Sequence, residues 1–484
     1  MLNVVLQSTE ISNEDDSHIP EYDLRSKLCS SDMSNIAILV ENGNMGLFEL
    51  LREKSTRILD LRTAECASFA SAILHTLNKL TELYLWGTYM GRCELNLPDS
   101  LQCSSLQKVE CSSEWLYGLL ITLSLLDYPV TCEMWDVVLQ STEQSNLDET
   151  HIPVSDLRSK LYSSDMSNIK ILVENGNMGL FELLRETRTR ILDLRTVECA
   201  SFASAILHTL NKLTELYLCG TYMGRCELNL PDSLQCISLQ KVECSSESLY
   251  GLLITLSLLD HYVTCVMLDV DLQSTEISNE DDSHIPEYDL RSKLCSSDLS
   301  NIAILVANSN MGLFELLRET STRILDLRTA ECASFASAIL HTLNKLAKLY
   351  LWGSYMGRCE LNLPDSFQCI NLQKVECSSE WLYGLLITLS SLDHPVTCKM
   401  LNVVLKSTEI SNEDDSHISE YDLRSKLCSS DMSNITILVE NGNMGLFELL
   451  RETSTRILDL RTAECASFAS AILHTLNKLT KLYL

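Results

Sequence analysis

The sequence predicts an α/β solenoid: a curved arc with a parallel β-sheet on its concave face and helices and irregular returns on its convex face. Two observations carry this. Thr56 to Leu85, TRILDLRTAECASFASAILHTLNKLTELYL, holds two short alternating apolar runs, Leu59-Asp60-Leu61 and Leu83-Tyr84-Leu85, with a helical pattern between them. The same stretch returns almost letter for letter at 189–218, 322–351 and 455–484. A short strand pattern followed by a helical return, repeated at about two dozen residues, is the signature of a stacked array in which no turn hides its apolar face alone.

The larger period is 133 residues, since the motif opening at Met1 returns from Met134, Met267 and Met400. The super-repeats are 1–133, 134–266, 267–399 and a partial 400–484, and the first and third differ at 15 positions. Such likeness reports recent duplication before it reports functional constraint. The whole of 1–484 reads as one solenoid of these units, broken off in mid-strand at Tyr483-Leu484 and so expected to be a piece of a longer array.

Each unit divides into five turns by the second and third apolar positions of an L-x-x-L-x-L pattern. They fall at Ile36 and Ile38, Leu59 and Leu61, Leu83 and Leu85, Val109 and Cys111, and Cys132 and Met134, with Ile169 and Ile171 opening the next unit. Leucines two apart share one side of a strand and face the core, which turns Asp60 and Arg62 toward solvent. The return supplies Phe69, Ala70, Ile73, Leu74, Leu77 and Leu80 at helical spacing. Further helices are expected at Met45 to Lys54 and Ser113 to Leu126. The return that contains Pro98 reads as irregular, because proline removes a helical hydrogen bond. Once per unit an acidic insertion is expected, at 7–20, 140–153, 273–286 and 406–419, followed by a short helix opened by Pro20 with Leu24 and Leu28 on one face.

Net charge is −29. A surface at uniform negative potential argues against nucleic acid or an anionic membrane as partner, and favours a basic ligand. The 20 cysteines recur at fixed phases without a C-x-x-C pair, so they read as buried thiols acting as small hydrophobes in a reducing, cytoplasmic compartment. No apolar run reaches the roughly 20 residues that span a bilayer.

Chemistry-bearing motifs are few. Asn13-Glu14-Asp15-Asp16-Ser17-His18 lacks the glycine and closing glutamate of a calcium loop and reads as solvated. His75, His208, His341 and His474 read as helix-surface residues. There is no phosphate-cradling glycine loop, and any catalytic set would occur three or four times over, so no enzyme, no cofactor and no metal are expected. The concave strand positions are the candidate binding surface: Asp60, Arg62, Tyr84, Trp86, Glu110, Glu133, Trp135, Asp193, Arg195, Tyr217, Glu243, Asp326, Arg328, Tyr350, Trp352, Glu376 and Lys399. Aromatic and arginine side chains on a rigid sheet suit recognition, though solvent-facing strand residues are often of these types in any case.

The turns ILDLRTAEC, LTELYLWGTYM and LQKVECSSE resemble cysteine-containing leucine-rich repeats, and the array is similar to those behind the nucleotide-binding domain of intracellular NACHT/NLR-type innate immune receptors, as expanded in invertebrates. The resemblance implies a non-enzymatic scaffold that binds a protein or microbial ligand, the sensor part of a cytosolic receptor. An alternative is an acidic, cysteine-rich inhibitor of a basic enzyme, like ribonuclease inhibitor; another is a structural array without a specific ligand. One departure stands out. Where the family places Asn or Cys three residues after the second strand leucine, this chain has Ala64 and Thr88, so the ladder of polar bonds between turns is expected to be weak and the turns loose.

Overall fold

The structure is a computed structural model that describes residues 2–3, 37–41, 47–48, 51, 56–140, 154–223, 228–273, 287–318, 320–406, 420–453, 455–470, 473–476 and 478–484. The acidic insertions, except Gln140, Gln273 and Lys406 at their starts, lie outside these residues, as do the Asn13–His18 cluster and the helix expected after Pro20. The chain forms two compact units, Met1–Gly220 with Leu228–Leu234, and Thr221–Glu227 with Gln235–Leu484.

In the first unit the strands are β1 (Leu2–Asn3), β2 (Ala37–Val40), β3 (Ile58–Leu61), β4 (Glu82–Tyr89), β5 (Cys103–Ser112), β6 (Val130–Gln140), β7 (Ile169–Gly176), β8 (Ile191–Leu194) and β9 (Glu215–Tyr222). Each pairs in parallel with the next. The second unit repeats the order as β10 (Cys236–Ser245), β11 (Val263–Gln273), β12 (Ile302–Ala307), β13 (Ile324–Leu327), β14 (Lys348–Tyr355), β15 (Cys369–Ser378), β16 (Val396–Lys406), β17 (Ile435–Gly442), β18 (Ile457–Leu460) and β19 (Lys481–Tyr483), again all parallel.

The core lies between strands and returns. Leu59, Leu61, Leu83 and Leu85 are fully buried. Opposite them the helix Ala64–Leu74 buries Cys66, Ala67, Ala70, Ile73 and Leu74 and is capped by the Thr63 side chain, which accepts from Cys66 N. Leu77 and Leu80 are buried just beyond that helix, while Phe69 is only half-buried. The same phenylalanine one unit on, Phe202, packs at 5.9 Å against the fully buried Phe181. The expected Ser113 helix spans Ser113–Ser124, and 90–102, which holds Pro98, carries no helix or strand. The amphipathic helices after the insertions appear as Val154–Ser163 and its repeats, with Leu157 and Leu161 buried. The helix expected at Met45 is complete in the later units as Met178–Leu184 and Met311–Leu317.

Two expectations are corrected. First, the strand register differs from the leucine alignment in two of the five turns. Leu83 and Leu85 pair with Ser104 and Leu106 rather than Val109 and Cys111, and Cys132 and Met134 pair with Ile171 and Val173 rather than Ile169 and Ile171. The second shift moves two residues along one face, since Ile169, Ile171 and Val173 are all buried apolar residues of like parity; the reason for the first is a bulge. Lys108, Asp136 and Asn175 hold φ of 51°, 54° and 58°, and Gly87 holds 106°. These four directly follow the register row Trp86–Gln107–Trp135–Glu174. A bulged residue reverses strand parity, so even-numbered Leu106 and odd-numbered Val109 and Cys111 are all buried on one side.

Second, the turns are tied by side chains after all. Asn177 accepts from Leu139 N at 3.2 Å, donates to Leu139 O at 3.0 Å and caps its own helix by accepting from Leu180 N at 3.1 Å. Asn443 does the same with Leu405 and Leu446. Asn168 donates to Leu126 O at 2.7 Å, and the Cys66 thiol to Glu41 O at 3.5 Å. At Asn177 and Cys66 the ladder sits one or two residues later than the family position, whereas Asn168 stands just before its strand.

No disulfide joins the described cysteines, and most are buried, although Cys295 and Cys428 are exposed. Burial pushes the thiols of Cys93 and Cys359 up to about 11 and those of Cys111 and Cys377 up to about 12. They are hydrophobic filling rather than nucleophiles. No described helix is long and apolar enough to cross a membrane.

Candidate functional site

Parallel register lines up side chains of like position from strand to strand, so the solvent face of each unit can be read as rows. In the first unit one row runs Asp60, Tyr84, Ser105, Glu133, Leu172, Asp193, Tyr217. The next runs Trp86, Gln107, Trp135, Glu174. Arg62 and Arg195 extend it at their ends, their amides bonded to Val40 O and Val173 O. In the second unit the rows are Asp326, Tyr350, Asn371, Lys399, Leu438, Asp459, Tyr483, and Trp352, Gln373, Leu401, Glu440.

The side chains within these rows hold one another. Arg62 pairs with Asp60 at 2.8 Å and stacks over Trp86 at 4.2 Å. Arg328 pairs with Asp326 at 3.0 Å and stacks over Trp352 at 4.2 Å, while Trp352 Nε1 donates to Asp326 Oδ1 at 3.0 Å. Such a planar guanidinium, clamped by a carboxylate and an indole, loses little further freedom on binding. Burial pushes the Asp60 and Asp326 carboxyls above the usual carboxylate range, and the arginine beside each pulls them back. In the second super-repeat Cys219 replaces the tryptophan, and Arg195 pairs with Asp193 at 2.9 Å and donates to Cys219 Sγ at 3.9 Å. Tyr84 donates to Glu82 at 2.9 Å, Tyr217 to Glu215 at 2.8 Å, and Trp135 to Glu133 at 3.2 Å.

Of the expected site residues, Glu110, Glu243 and Glu376 do not join this set. They lie beyond the bulge, where Glu110 is level with Thr88 and Val138 and receives Gln140 at 2.9 Å, and Glu376 is paired with Lys406. The rest stand on the solvent face in the two rows. A third row was missed, two residues before the Asp60 row: Ala37, Ile58, Glu82, Cys103, Thr131, Lys170, Ile191, Glu215. Period-two alternation carried one residue further back from Tyr84 would have found it. It changes sign between copies, since Glu82 corresponds to Lys348, as Glu133 of the Asp60 row corresponds to Lys399. Glu133 and Glu82 push the Cys103 thiol further in the direction burial takes it, to about 12, whereas Lys399 and Lys348 draw Cys369 back.

The expected helix-surface histidines are exposed; His75 ends its helix and lines a shallow depression with Asn96, Asp99 and Thr122 on the return side. Among the described residues no group of His, Cys, Asp or Glu could hold a metal ion.

Alternating strands and returns, stacked in parallel register over a leucine core, define a leucine-rich-repeat solenoid. No protein-family model matches the sequence, and no curated protein matches it. Among solved structures, the TLR13–ssRNA13 complex matches over 92% of this chain and 72% of that one, at 13% identity and a TM-score of 0.30. An internalin (inlF) from Listeria monocytogenes matches over 95% and 88%, at 10% identity and a TM-score of 0.24. At those scores neither likeness adds weight; the class rests on the register and core described above.

Proposed function

We propose that the chain is a non-catalytic recognition scaffold whose ligand, a protein or microbial surface molecule, lies along the solvent face of the strands. The observation that carries this is the recurrence, at Asp60–Arg62–Trp86 and Asp326–Arg328–Trp352, of an arginine pinned between carboxylate and indole on an open sheet. Large, rigid, amphipathic groups of this kind dominate binding energy at interfaces. The finer reading is the sensor part of a cytosolic innate-immune-type receptor. The sequence resemblance and the buried thiols, which suit a reducing compartment, support it.

The test is capture of partners by the full chain and by a Tyr84→Ala, Trp86→Ala, Trp135→Ala variant. Loss of partners with an unchanged circular dichroism spectrum is expected. Full retention would move the site off the strand face. The net charge of −29 favours a second reading, inhibition of a basic enzyme. Binding of that kind collapses between low and high salt, and salt-insensitive binding counts against it.

A further inference from the structure

In one turn the chain shows what this face does with an ammonium group. Lys170 Nζ sits 2.8 Å from Asp193 Oδ2 and 4.5 Å over the ring of Tyr217. The carboxylate and the ring come from the two strands that follow Lys170, β8 and β9, so three adjacent strands build one cation site. Glu215, which receives the Tyr217 hydroxyl, adds a second carboxylate. With Lys170 in place the Asp193 side chain is wholly buried.

The register gives the corresponding residues in the other copies. Lys170 is level with Ile191 as Ala37 is with Ile58, Ala303 with Ile324 and Thr436 with Ile457. Asp60, Tyr84 and Glu82 therefore repeat the Asp193, Tyr217 and Glu215 geometry with an alanine where the lysine stands. The short residue leaves the aspartate open: the side chains of Asp60, Asp326 and Asp459 are 16%, 16% and 17% exposed against 0% for Asp193. The flanking residue then separates the copies. Beside Tyr84 it is Glu82, whereas beside Tyr350 and Tyr483 it is Lys348 and Lys481, which repel an incoming cation.

We propose that the Asp60–Tyr84–Glu82 cleft of the first unit binds a lysine side chain from a basic segment of a polypeptide partner, in the pose Lys170 adopts over Tyr217. The inference rests on the strand face being the ligand surface and names the chemistry read there. Ring face and carboxylate together favour an ammonium. The acidic surface draws a basic segment from a distance. The equivalent clefts at Asp326 and Asp459 reject it through Lys348 and Lys481.

The test uses the full chain and a fluorescein-labelled peptide of alternating lysine and glycine, with its fully acetylated form as control, read by anisotropy and by calorimetric stoichiometry. Wild type should take the lysine peptide at one site and ignore the acetylated one. Ala37→Lys puts the chain's own Lys170 arrangement into the first cleft and should weaken binding at least tenfold. Lys170→Ala opens the Asp193–Tyr217 cleft and should add a second site. Glu94→Gln and Lys79→Ala, both exposed and off the strand face, change charge by the same amounts and should leave affinity and stoichiometry as they were. Equal effects from these controls would mean bulk charge only, and unchanged stoichiometry in Lys170→Ala would overturn the cleft. If Ala37→Lys and Lys170→Ala do nothing while the Tyr84, Trp86 and Trp135 variant loses its partners, the lysine assignment fails and the strand face stands.

Discussion

Replacing Asn177 by alanine removes three hydrogen bonds at once. The side chain caps the helix Met178–Leu184 through Leu180 N and holds both backbone groups of Leu139 in the preceding turn. Loss of an Asn cap costs about 1 kcal/mol. An orphaned backbone donor or acceptor costs about 1–3 kcal/mol when buried. Leu139 is only half-buried, so its amide and carbonyl regain some water, and about 2–3 kcal/mol in total is expected for Asn177→Ala. Asn177→Asp keeps both acceptor bonds and loses only the donor to Leu139 O, so about 1 kcal/mol is expected. Stability in a solenoid is nearly a sum of turn and interface contributions, so the damage should be local. Native-state hydrogen exchange at Leu139 and Leu180 should accelerate while exchange at the equivalent Leu405 and Leu446 stays put, and urea melts should show the ranking wild type, Asp, Ala. Equal costs for the two variants would refute the claim that Asn177 ties two turns together, and so would unchanged exchange at Leu139.

Three further outcomes are expected. Lys108 sits at φ 51°, so Lys108→Gly should be more stable than Lys108→Ala by about 1 kcal/mol in urea melts, since a side chain in the left-handed region is strained; a more stable alanine variant would deny the bulge. Burial raises the Cys111 and Cys377 thiols from 9.0 to about 12. Folding thus favours their protonated form, and stability should be full below pH 9 and fall as pH rises toward 12, with an Ala substitution at either site flattening the decline. Leu85→Ala, at a fully buried site flanked by Leu61 and Leu106, should cost about 2–5 kcal/mol by cavity formation, whereas substitution of the exposed His75 should change stability by less than about 0.5 kcal/mol.

The strands at Leu59-Asp60-Leu61 and Leu83-Tyr84-Leu85 were legible because nothing interrupts their alternation before the bulge. The turn at Cys103–Ser112 was not, because its core positions are Ser104 and Leu106 rather than two leucines, and because the residue that bulges is a lysine. Gly87, at the same level one strand earlier, was the available signal. The polar ladder is displaced for two reasons: β7 runs on past Val173 to Gly176, which carries Asn177 beyond the position where the family keeps its polar residue, and Cys66 lies in the first turn of the helix that follows Leu61. On the solvent face of the strands, Asp60, Arg62, Tyr84 and Trp86 followed from alternation alone. The Lys170 contact did not, since its partners Asp193 and Tyr217 lie on two different later strands and only the register brings the three together.

The left-handed row that Gly87, Lys108, Asp136 and Asn175 form carries a further consequence. Three successive strands, β5 to β7, take an extra residue at one level, β4 passes the same level through Gly87 without one, and the four-residue strands Ile58–Leu61 and Ile191–Leu194 end before it. At the β4–β5 border a bulged strand meets an unbulged one, and the pairing steps by one residue there. Whole blocks of 133 residues meet the next block in step. Growth of this chain by block duplication thus sets each bulged strand beside the same neighbours as before and needs no new register step.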